Sequence, residues 1–242
     1  MRETTTAPTL VCVHGAGGGG WEWAIWARVL AAHGWQVLAP DLRAVDGDPA
    51  QTHFADYRAQ VLDWCRGRRG PLALAGASLG GALALSVVAE LEPCALVLVN
   101  PLQPREALSS PRPARIPWGR RRSLAGTRRA MPDADDAACL HALRRWRDES
   151  GAVLDEAEAM APTGAPRCPA LVLASELDGD IPPATSRHLA ERIGADFECL
   201  AGSSHVGPLL GRRAAATAER VAGWLRLHCP TQALPSGGLT PV

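Results

Sequence analysis

The chain contains no lysine, and all 25 of its basic residues are arginine. Any mechanism that needs a lysine amine, such as Schiff-base catalysis, is therefore excluded. Long apolar runs are also missing and the first eight residues are polar, so we expect neither a membrane span nor a signal peptide. The net charge is zero, which gives the chain as a whole no attraction to nucleic acid or to anionic membranes. These absences predict a cytoplasmic protein without nucleic-acid or membrane partners.

The cysteines lack the clustering that metal sites need. No C-x-x-C pair occurs among the seven, which are scattered singly along the chain. An odd number of separate cysteines is typical of reduced, mostly buried thiols, and not of a disulfide framework or a zinc site. We therefore expect no metal, no cofactor and no disulfide. The seven are Cys12, Cys65, Cys94, Cys139, Cys168, Cys199 and Cys229.

Short apolar runs alternate with segments of helical periodicity through most of the chain. This rhythm predicts an α/β fold, a mostly parallel sheet of about six strands with helices on both faces. It breaks at Pro101 and resumes at Ala170. We predict a core made of residues 1–100 and 168–229, a helical cap inserted at residues 101–167, and a flexible tail at residues 230–242.

The predicted cap has two halves of opposite charge. Residues 101–131 hold eight arginines and one acid, Glu106, so that 8 − 1 gives +7, whereas residues 133–160 are acidic and helical in pattern. A solvated basic face is the commonest explanation of such a run. Because the insertion follows a strand at the carboxyl end of the sheet, we expect it to lie over a pocket.

A nucleophile elbow is indicated at Ser78. An apolar strand runs into Gly76-Ala77-Ser78-Leu79-Gly80, which fits G-x-S-x-G, and an apolar helix follows. A turn tight enough to lift a serine clear of a sheet strains its backbone and leaves no room for side chains two residues away. The pattern alone is equally compatible with an ordinary glycine-rich turn, so its context decides.

That context supplies the other groups that a serine nucleophile needs. Acidic residues follow a later strand in the loop at residues 176–182, and His205 follows the last strand, so that the order is Ser, acid, His. The N–H groups of Ala16, in a glycine-rich loop after the first strand, and of Leu79, which opens a helix, are candidate oxyanion donors. The sequence therefore predicts nucleophilic catalysis by Ser78.

The chain resembles the α/β-hydrolase superfamily over essentially its whole length. The resemblance rests on His14-Gly15, Pro40-Asp41-Leu42, the serine elbow, the residue 178–182 loop and Gly202-Ser203-Ser204-His205. It implies a metal-free serine esterase with Ser78 as nucleophile, Asp178 as acid and His205 as base. Asp180 is the alternative acid, but the family pattern D-x-x-[VI]-P places the carboxylate at Asp178.

A narrower resemblance is to plant methyl esterases and hydroxynitrile lyases. It rests on the short start before His14-Gly15, the pair Trp21 and Trp23, and Pro40-Asp41-Leu42. The lyases of this branch use a lysine beside the catalytic histidine, where this chain has Val206. The family's G-x-G after Asp41 is also absent. Ester hydrolysis is thus favoured, with a thioesterase, a carbon–carbon-cleaving or lyase-type enzyme, or a non-catalytic ligand receptor as alternatives.

Two further expectations concern the substrate. Trp21 and Trp23 are candidates to line an acyl pocket, although tryptophans on a helix face more often belong to the core. The basic half of the cap, with Arg120, Arg121 and Arg122, resembles the lid of pimeloyl-carrier-protein methyl esterases. That resemblance implies docking of an acidic carrier protein that holds the ester.

Overall fold

A six-stranded parallel sheet forms the centre of the molecule. The computed structural model describes residues 7–105, 110–161 and 164–229, so the predicted tail at residues 230–242, the first six residues and Glu106 lie outside the described residues. Its strands are β1 (Thr9–Val13), β2 (Gln36–Leu38), β3 (Leu72–Ala77), β4 (Ala95–Val99), β7 (Ala170–Ser175) and β8 (Asp196–Leu200). The sheet order is β2-β1-β3-β4-β7-β8, with every neighbouring pair parallel. The predicted α/β fold is confirmed.

Helices cover both faces of this sheet. Successive side chains of each strand point to opposite faces, so each face carries apolar side chains that the helices bury. In β1, Val11 and Val13 pack with one apolar layer, whereas Leu10 and Cys12 pack with the other. The first layer includes α2 (Phe54–Cys65), α3 (Leu79–Leu91) and α7 (Pro183–Ile193). The second includes α1 (Ala24–Ala32) and α9 (Ala214–His228), and the short α8 (Gly207–Leu210) precedes α9. No helix among the described residues is long and apolar enough to cross a membrane.

The insertion, by which we mean the chain between β4 and β7, has structure of its own. It contains β5 (Arg115–Ile116), α4 (Leu124–Ala130), α5 (Asp136–Leu143), β6 (Glu149–Ser150) and α6 (Gly151–Ala159). β5 and β6 form a small antiparallel ribbon. Val153, Leu154 and Ala157 of α6 are buried in the same apolar layer as α2 and α3. The insertion is thus packed into the core at its carboxyl end, and the predicted domain boundaries stay a prediction.

Ion pairs join the two oppositely charged halves of the insertion. Arg112 binds Asp155 and Glu158 at 2.5 and 2.8 Å. Other arginines of the basic half bind carboxylates of the acidic half in the same way, namely Arg105 with Glu158, Arg115 and Arg120 with Asp148, and Arg128 with Asp136. The charge separation along the sequence therefore becomes charge pairing in the fold, which leaves Arg121, Arg122 and Arg129 without an ion pair to a described residue.

One expectation about the cysteines is wrong. Cys94, next to β4, and Cys229, next to α9, form a disulfide with a Cα–Cα distance of 5.4 Å. The two residues are 135 positions apart, so their spacing in the sequence gives no sign that the fold brings them together. The other five cysteines are free. Disulfides are typical of oxidising compartments, and the cytoplasmic location stays a prediction.

Candidate active site

Ser78 lies in a strained turn between β3 and α3. Its φ of 51° and ψ of −119° are rare for any residue except glycine. Such a conformation costs about 1–3 kcal/mol and persists only where the surroundings impose it. Here the Ser78 N–H donates to the carbonyl of Val99 at 3.0 Å, and its own carbonyl accepts from the N–H of Leu102 at 2.9 Å. The turn is therefore held from the end of β4 and the start of the insertion.

Glycines on each side of Ser78 permit this geometry. A Cβ atom at Gly76 would overlap the carbonyl oxygen of Gly80, and one at Gly80 would overlap the carbonyl oxygen of Val13. A Cβ at Gly15 would lie 3.3 Å from that of Ser78. The first turn of α3 thus lies directly against the end of β1, and Ser78 is left partly exposed at the carboxyl edge of the sheet.

Asp178 and His205 form an acid–imidazole pair at the same edge. Asp178 Oδ2 is 2.7 Å from Nδ1 of His205, and its Oδ1 accepts from the N–H groups of Asp180 and Ile181 at 2.9 Å each. An Nδ1–H that donates to a carboxylate leaves Nε2 as the basic nitrogen of the ring. Asp180 is exposed and its carboxylate bonds to no described residue. Of the two acids proposed from the sequence, the geometry favours Asp178.

The same three residues are the only group of potential metal ligands in the part of the chain that the structure describes. Their ligand atoms lie within 4.8 Å of one another. Both carboxylate oxygens of Asp178 already accept hydrogen bonds, and a metal would have to displace these donors. The donor set therefore fits an acid that orients an imidazole better than it fits a metal centre.

The two N–H groups proposed from the sequence as oxyanion donors have no acceptor among the described residues. In the glycine loop, residues 14–20, the N–H groups of Gly15, Gly17, Gly18 and Gly20 already donate to acceptors within the protein. The N–H of Ala16 has no acceptor among the described residues, and neither has that of Leu79 at the start of α3. A helix N-terminus also favours negative charge. The N–H groups of Ala16 and Leu79 are thus free to donate, and their role as oxyanion donors stays a prediction.

His14, the first residue of the glycine loop, holds the loop by two hydrogen bonds of its ring. Its Nδ1–H donates to the carbonyl of Gly15 at 2.8 Å, and its Nε2 accepts from the N–H of Leu42, also at 2.8 Å. Complete burial lowers the pKa of His14 to about 4, so the ring is neutral at physiological pH. Only a neutral ring can donate from one nitrogen and accept at the other, so this pair of hydrogen bonds requires the neutral state.

Glu22 is a second buried group beneath this loop, and nothing in its local sequence marks it. Its carboxyl group lies 3.4 Å from the N–H of Gly15, and a Cβ at Gly18 would overlap it. Burial raises the pKa of Glu22 to about 8, so the side chain is mainly protonated at neutral pH. A neutral acid here adds no negative charge beside the proposed oxyanion donors.

Two residues of the insertion form hydrogen bonds with the glycine loop. Glu149 Oε2 accepts from the N–H of Gly17 at 2.9 Å. The N–H of Arg147 donates to the carbonyl of Gly17 at 2.8 Å, and its Nε donates to the carbonyl of Gly18 at 2.7 Å. The insertion therefore touches the loop that carries Ala16, 132 positions earlier in the chain.

Two further polar residues hold the histidine loop, residues 201–206. Asn100, buried at the end of β4, donates to the backbone carbonyl of His205 at 2.7 Å and exchanges two hydrogen bonds with Ser175. Asp133 of the insertion accepts from Oγ and N–H of Ser204 at 2.5 and 3.2 Å. Sequence reasoning missed both, although an amide at the carboxyl end of a parallel strand, as at Asn100, is a recognisable signal.

The two tryptophans proposed for a pocket have different surroundings. Trp23 is completely buried and packs edge-to-face on Trp26 at 5.2 Å in the core. Trp21 packs on Trp146 and His141 of the insertion. Because Trp23 could contact a substrate only if the core opened, its pocket role is corrected to a packing role, and Trp21 lies at the junction of core and insertion.

The described cavities do not include the candidate catalytic residues. The larger, of about 430 Å³, is an open groove lined by residues of α2, α3 and α6, and a second of about 20 Å³ has room for little more than one water molecule. Chemistry, and not cavity volume, therefore identifies the site. A substrate would reach Ser78 and His205 from their partly exposed side.

A serine elbow, an acid–imidazole pair and two free N–H groups at the carboxyl edge of a parallel sheet define a hydrolase-type α/β protein. The chain matches the family described as "Alpha/beta hydrolase family" over residues 10–220. It therefore belongs to the α/β-hydrolase family. A comparison with curated proteins finds no match.

Solved structures with the same fold include several hydrolases. One, reported with the metagenome-derived lipolytic enzymes LipS and LipT, is 19% identical, covers 93% of this chain and 95% of its own, and has a TM-score of 0.70. A methylesterase from Arabidopsis is 15% identical, with coverages of 89% and 98% and a TM-score of 0.72. The thioesterase domain of the curacin biosynthetic pathway is 19% identical, with coverages of 91% and 92% and a TM-score of 0.66. At such identities the likeness establishes the fold alone.

Proposed function

We propose that the protein is a serine hydrolase that cleaves a small-molecule carboxylic ester, for which a methyl ester is one candidate, through an acyl-enzyme. The observation that carries this proposal is the 2.7 Å contact of Asp178 with Nδ1 of His205, because it leaves Nε2 of His205 as a base at the edge where Ser78 is exposed. Ser78 Oγ bonds to no described residue and is free to turn toward that base. Catalytic hydrogen bonds are often long before substrate binds.

The chemistry proceeds in two halves. Nε2 of His205 takes the proton of Ser78 Oγ while this oxygen attacks the ester carbonyl carbon, and the oxyanion accepts from the N–H groups of Ala16 and Leu79. The carbon–oxygen bond to the alcohol then breaks, and His205 protonates the leaving oxygen. Water next gives its proton to His205 and attacks the acyl carbon. The acid departs as Ser78 regains its proton, and Asp178 stabilises the charged imidazole in both halves.

Two chemical alternatives differ from ester hydrolysis in the group that leaves the carbonyl carbon of the substrate. A thioester would react through the same steps with a thiol as the leaving group, and a carbon–carbon substrate would need a proton delivered to carbon. The position after His205 is Val206 and the chain has no lysine, which disfavours a cyanohydrin lyase. A panel of p-nitrophenyl esters and acyl thioesters of equal chain length separates ester hydrolysis from thioester hydrolysis. We expect faster turnover of the esters.

The assignment of Ser78 is tested by its replacement. Ser78→Ala should abolish ester hydrolysis and labelling by a fluorophosphonate probe. Ser86→Ala is the matched control, because Ser86 lies on the same helix and its hydroxyl donates only to the carbonyl of Leu83 among the described residues. Labelling that persists in Ser78→Ala would refute the assignment. A wild-type protein that is never labelled would instead favour a non-catalytic ligand receptor.

A further inference from the structure

The glycine loop has little stiffness of its own. Residues 17–20 are four consecutive glycines, and Gly17 has a φ of +68°. Glycine has more conformational freedom to lose than any other residue, so fixing this segment costs more than fixing an ordinary loop. A catalytic N–H within such a loop needs neighbours that hold it in place.

The peptide units on either side of Ala16 are each fixed by a different part of the protein. The unit before it is held by the core, because the carbonyl of Gly15 accepts from His14 Nδ1–H. The unit after it is held by the insertion, because the N–H of Gly17 donates to Glu149. Because a peptide unit is planar, the Ala16 N–H lies in the unit that the core holds, and the contact with the insertion restricts rotation of the Ala16 backbone from the other side.

Glu149 is well supported for such a task. It is buried, and its carboxylate also accepts from the hydroxyl of Tyr57 at 3.0 Å and from the N–H of Ser150 at 2.8 Å. Burial and the neighbouring carboxylate raise the pKa of Tyr57, which keeps that hydroxyl protonated and able to donate. Arg147 adds the two bonds to the carbonyls of Gly17 and Gly18. Trp118 of the insertion covers Gly17, since a Cβ there would lie 2.9 Å from its ring.

We propose that Arg147 and Glu149 are positioning residues for the oxyanion donor at Ala16, so that the insertion is a fixed brace of the active site and not a lid that lifts. This inference rests on the proposed function. A lid that opened would break the bonds to Gly17 and Gly18 and leave the buried Glu149 with fewer donors, which is costly for a carboxylate. Neither residue contacts the reacting atoms, so each acts through the backbone of the loop.

The test compares two ways to loosen the insertion. Glu149→Ala removes the bond to Gly17, and Glu149→Gln keeps one oxygen that can accept it. Arg115→Ala is the control for a general loosening of the insertion, because Arg115 binds Asp48 of the core and Asp148 of the insertion without touching the glycine loop. Loss of one oxyanion donor costs about 10²–10³-fold in kcat. We expect Glu149→Ala to lower kcat on a p-nitrophenyl ester by about 10²-fold, with KM nearly unchanged, Glu149→Gln to recover part of the loss, and Arg115→Ala to stay close to wild type.

A second readout does not depend on activity. Hydrogen–deuterium exchange of the peptide spanning residues 14–20 should accelerate in Glu149→Ala and not in Arg115→Ala. Equal effects of the two alanine variants, on kcat or on exchange, would overturn the brace even if wild-type Ser78 is reactive. If wild-type Ser78 reacts with neither ester nor fluorophosphonate, the proposed function fails, and the exchange experiment still decides whether the insertion orders the loop.

Discussion

Asp133 of the insertion binds Ser204, the residue directly before the candidate base His205, through both oxygens of its carboxylate. Cβ atoms at Gly207 and at Gly211 would crowd this carboxylate, so both positions leave room for it. The backbone of Asp133 also accepts from the N–H of Arg212 at 3.1 Å. The insertion is thus tied to the histidine loop as well as to the glycine loop.

Replacement of Asp133 should therefore affect both stability and catalysis. Asp133→Ala leaves the N–H and hydroxyl of Ser204 without their acceptor, and we expect a loss of about 1–3 kcal/mol in the free energy of unfolding, together with a lower kcat. Ser204→Ala removes only the hydroxyl and should cost less in both. Denaturant unfolding and steady-state kinetics provide the two measurements. Equal costs for the two variants would mean that the backbone contact contributes nothing.

Asn100 allows a test of how the base is positioned. Asn100→Gly removes its side chain at a φ of 44° that glycine tolerates, and should lower kcat/KM because the carbonyl of His205 loses its donor. Asn100→Asp puts a carboxylate close to the imidazole, which favours the charged ring. The acid limb of the kcat/KM–pH profile should then move to higher pH in Asn100→Asp and not in Asn100→Gly. The same limb in both variants would limit Asn100 to a packing role.

Glu22 should make stability fall as the pH rises. Its folded pKa of about 8 lies above the ordinary value of 4.5, so between these values the unfolded chain has released a proton that the folded protein keeps. His14 also titrates differently in the two states, but it is present in both wild type and Glu22→Gln and so cancels in their comparison. Between pH 6.5 and about 8, wild type should lose up to about 1.4 kcal/mol per pH unit relative to Glu22→Gln, which cannot ionise. Parallel stability–pH curves for the two proteins would contradict the raised pKa.

The disulfide predicts a specific pattern of thiol reactivity. In denaturant without reductant, five of the seven cysteines should be alkylated, and all seven after reduction. A cross-link across 135 positions lowers the conformational entropy of the unfolded chain. By the loop-entropy relation this adds up to about 5 kcal/mol to the free energy of unfolding. Cys94→Ser with Cys229→Ser should therefore lower the melting temperature, whereas Cys199→Ser, at an exposed free thiol, should not. Seven alkylated cysteines before reduction would exclude the bond.

Only a small part of the basic half of the insertion is left to bind the carrier protein predicted from the sequence. Arg120 already binds Asp148, whereas Arg121 and Arg122 are exposed and form no ion pair with a described residue. Arg121→Glu with Arg122→Glu should weaken turnover of an ester held on an acidic carrier protein far more than that of a small p-nitrophenyl ester. Arg66→Glu with Arg68→Glu, two exposed positions near the end of α2, is the charge-matched control. Equal losses on both substrates would remove the docking role.

The parts of this fold that repeat along the chain could be predicted from the sequence. Alternating strands and helices indicated the parallel sheet, and the carboxyl ends of β3, β7 and β8 indicated where Ser78, Asp178 and His205 lie. Supporting contacts such as Gly17 with Glu149 could not be predicted, because they join residues 132 positions apart through single hydrogen bonds without a local pattern. Trp23 shows a second limit of the sequence. Its helical spacing indicates a helix but does not tell whether the side chain points into the core or toward a pocket.

The long reach of these contacts has a consequence for the order in which the enzyme becomes active. The serine elbow and the glycine loop both lie in the first third of the chain, whereas the brace at Glu149 and the base at His205 come much later. A nascent chain on the ribosome therefore displays Ser78 while it still lacks both a proton acceptor and an ordered oxyanion donor. Under the proposed function, ester hydrolysis therefore begins only when synthesis has passed the last strand.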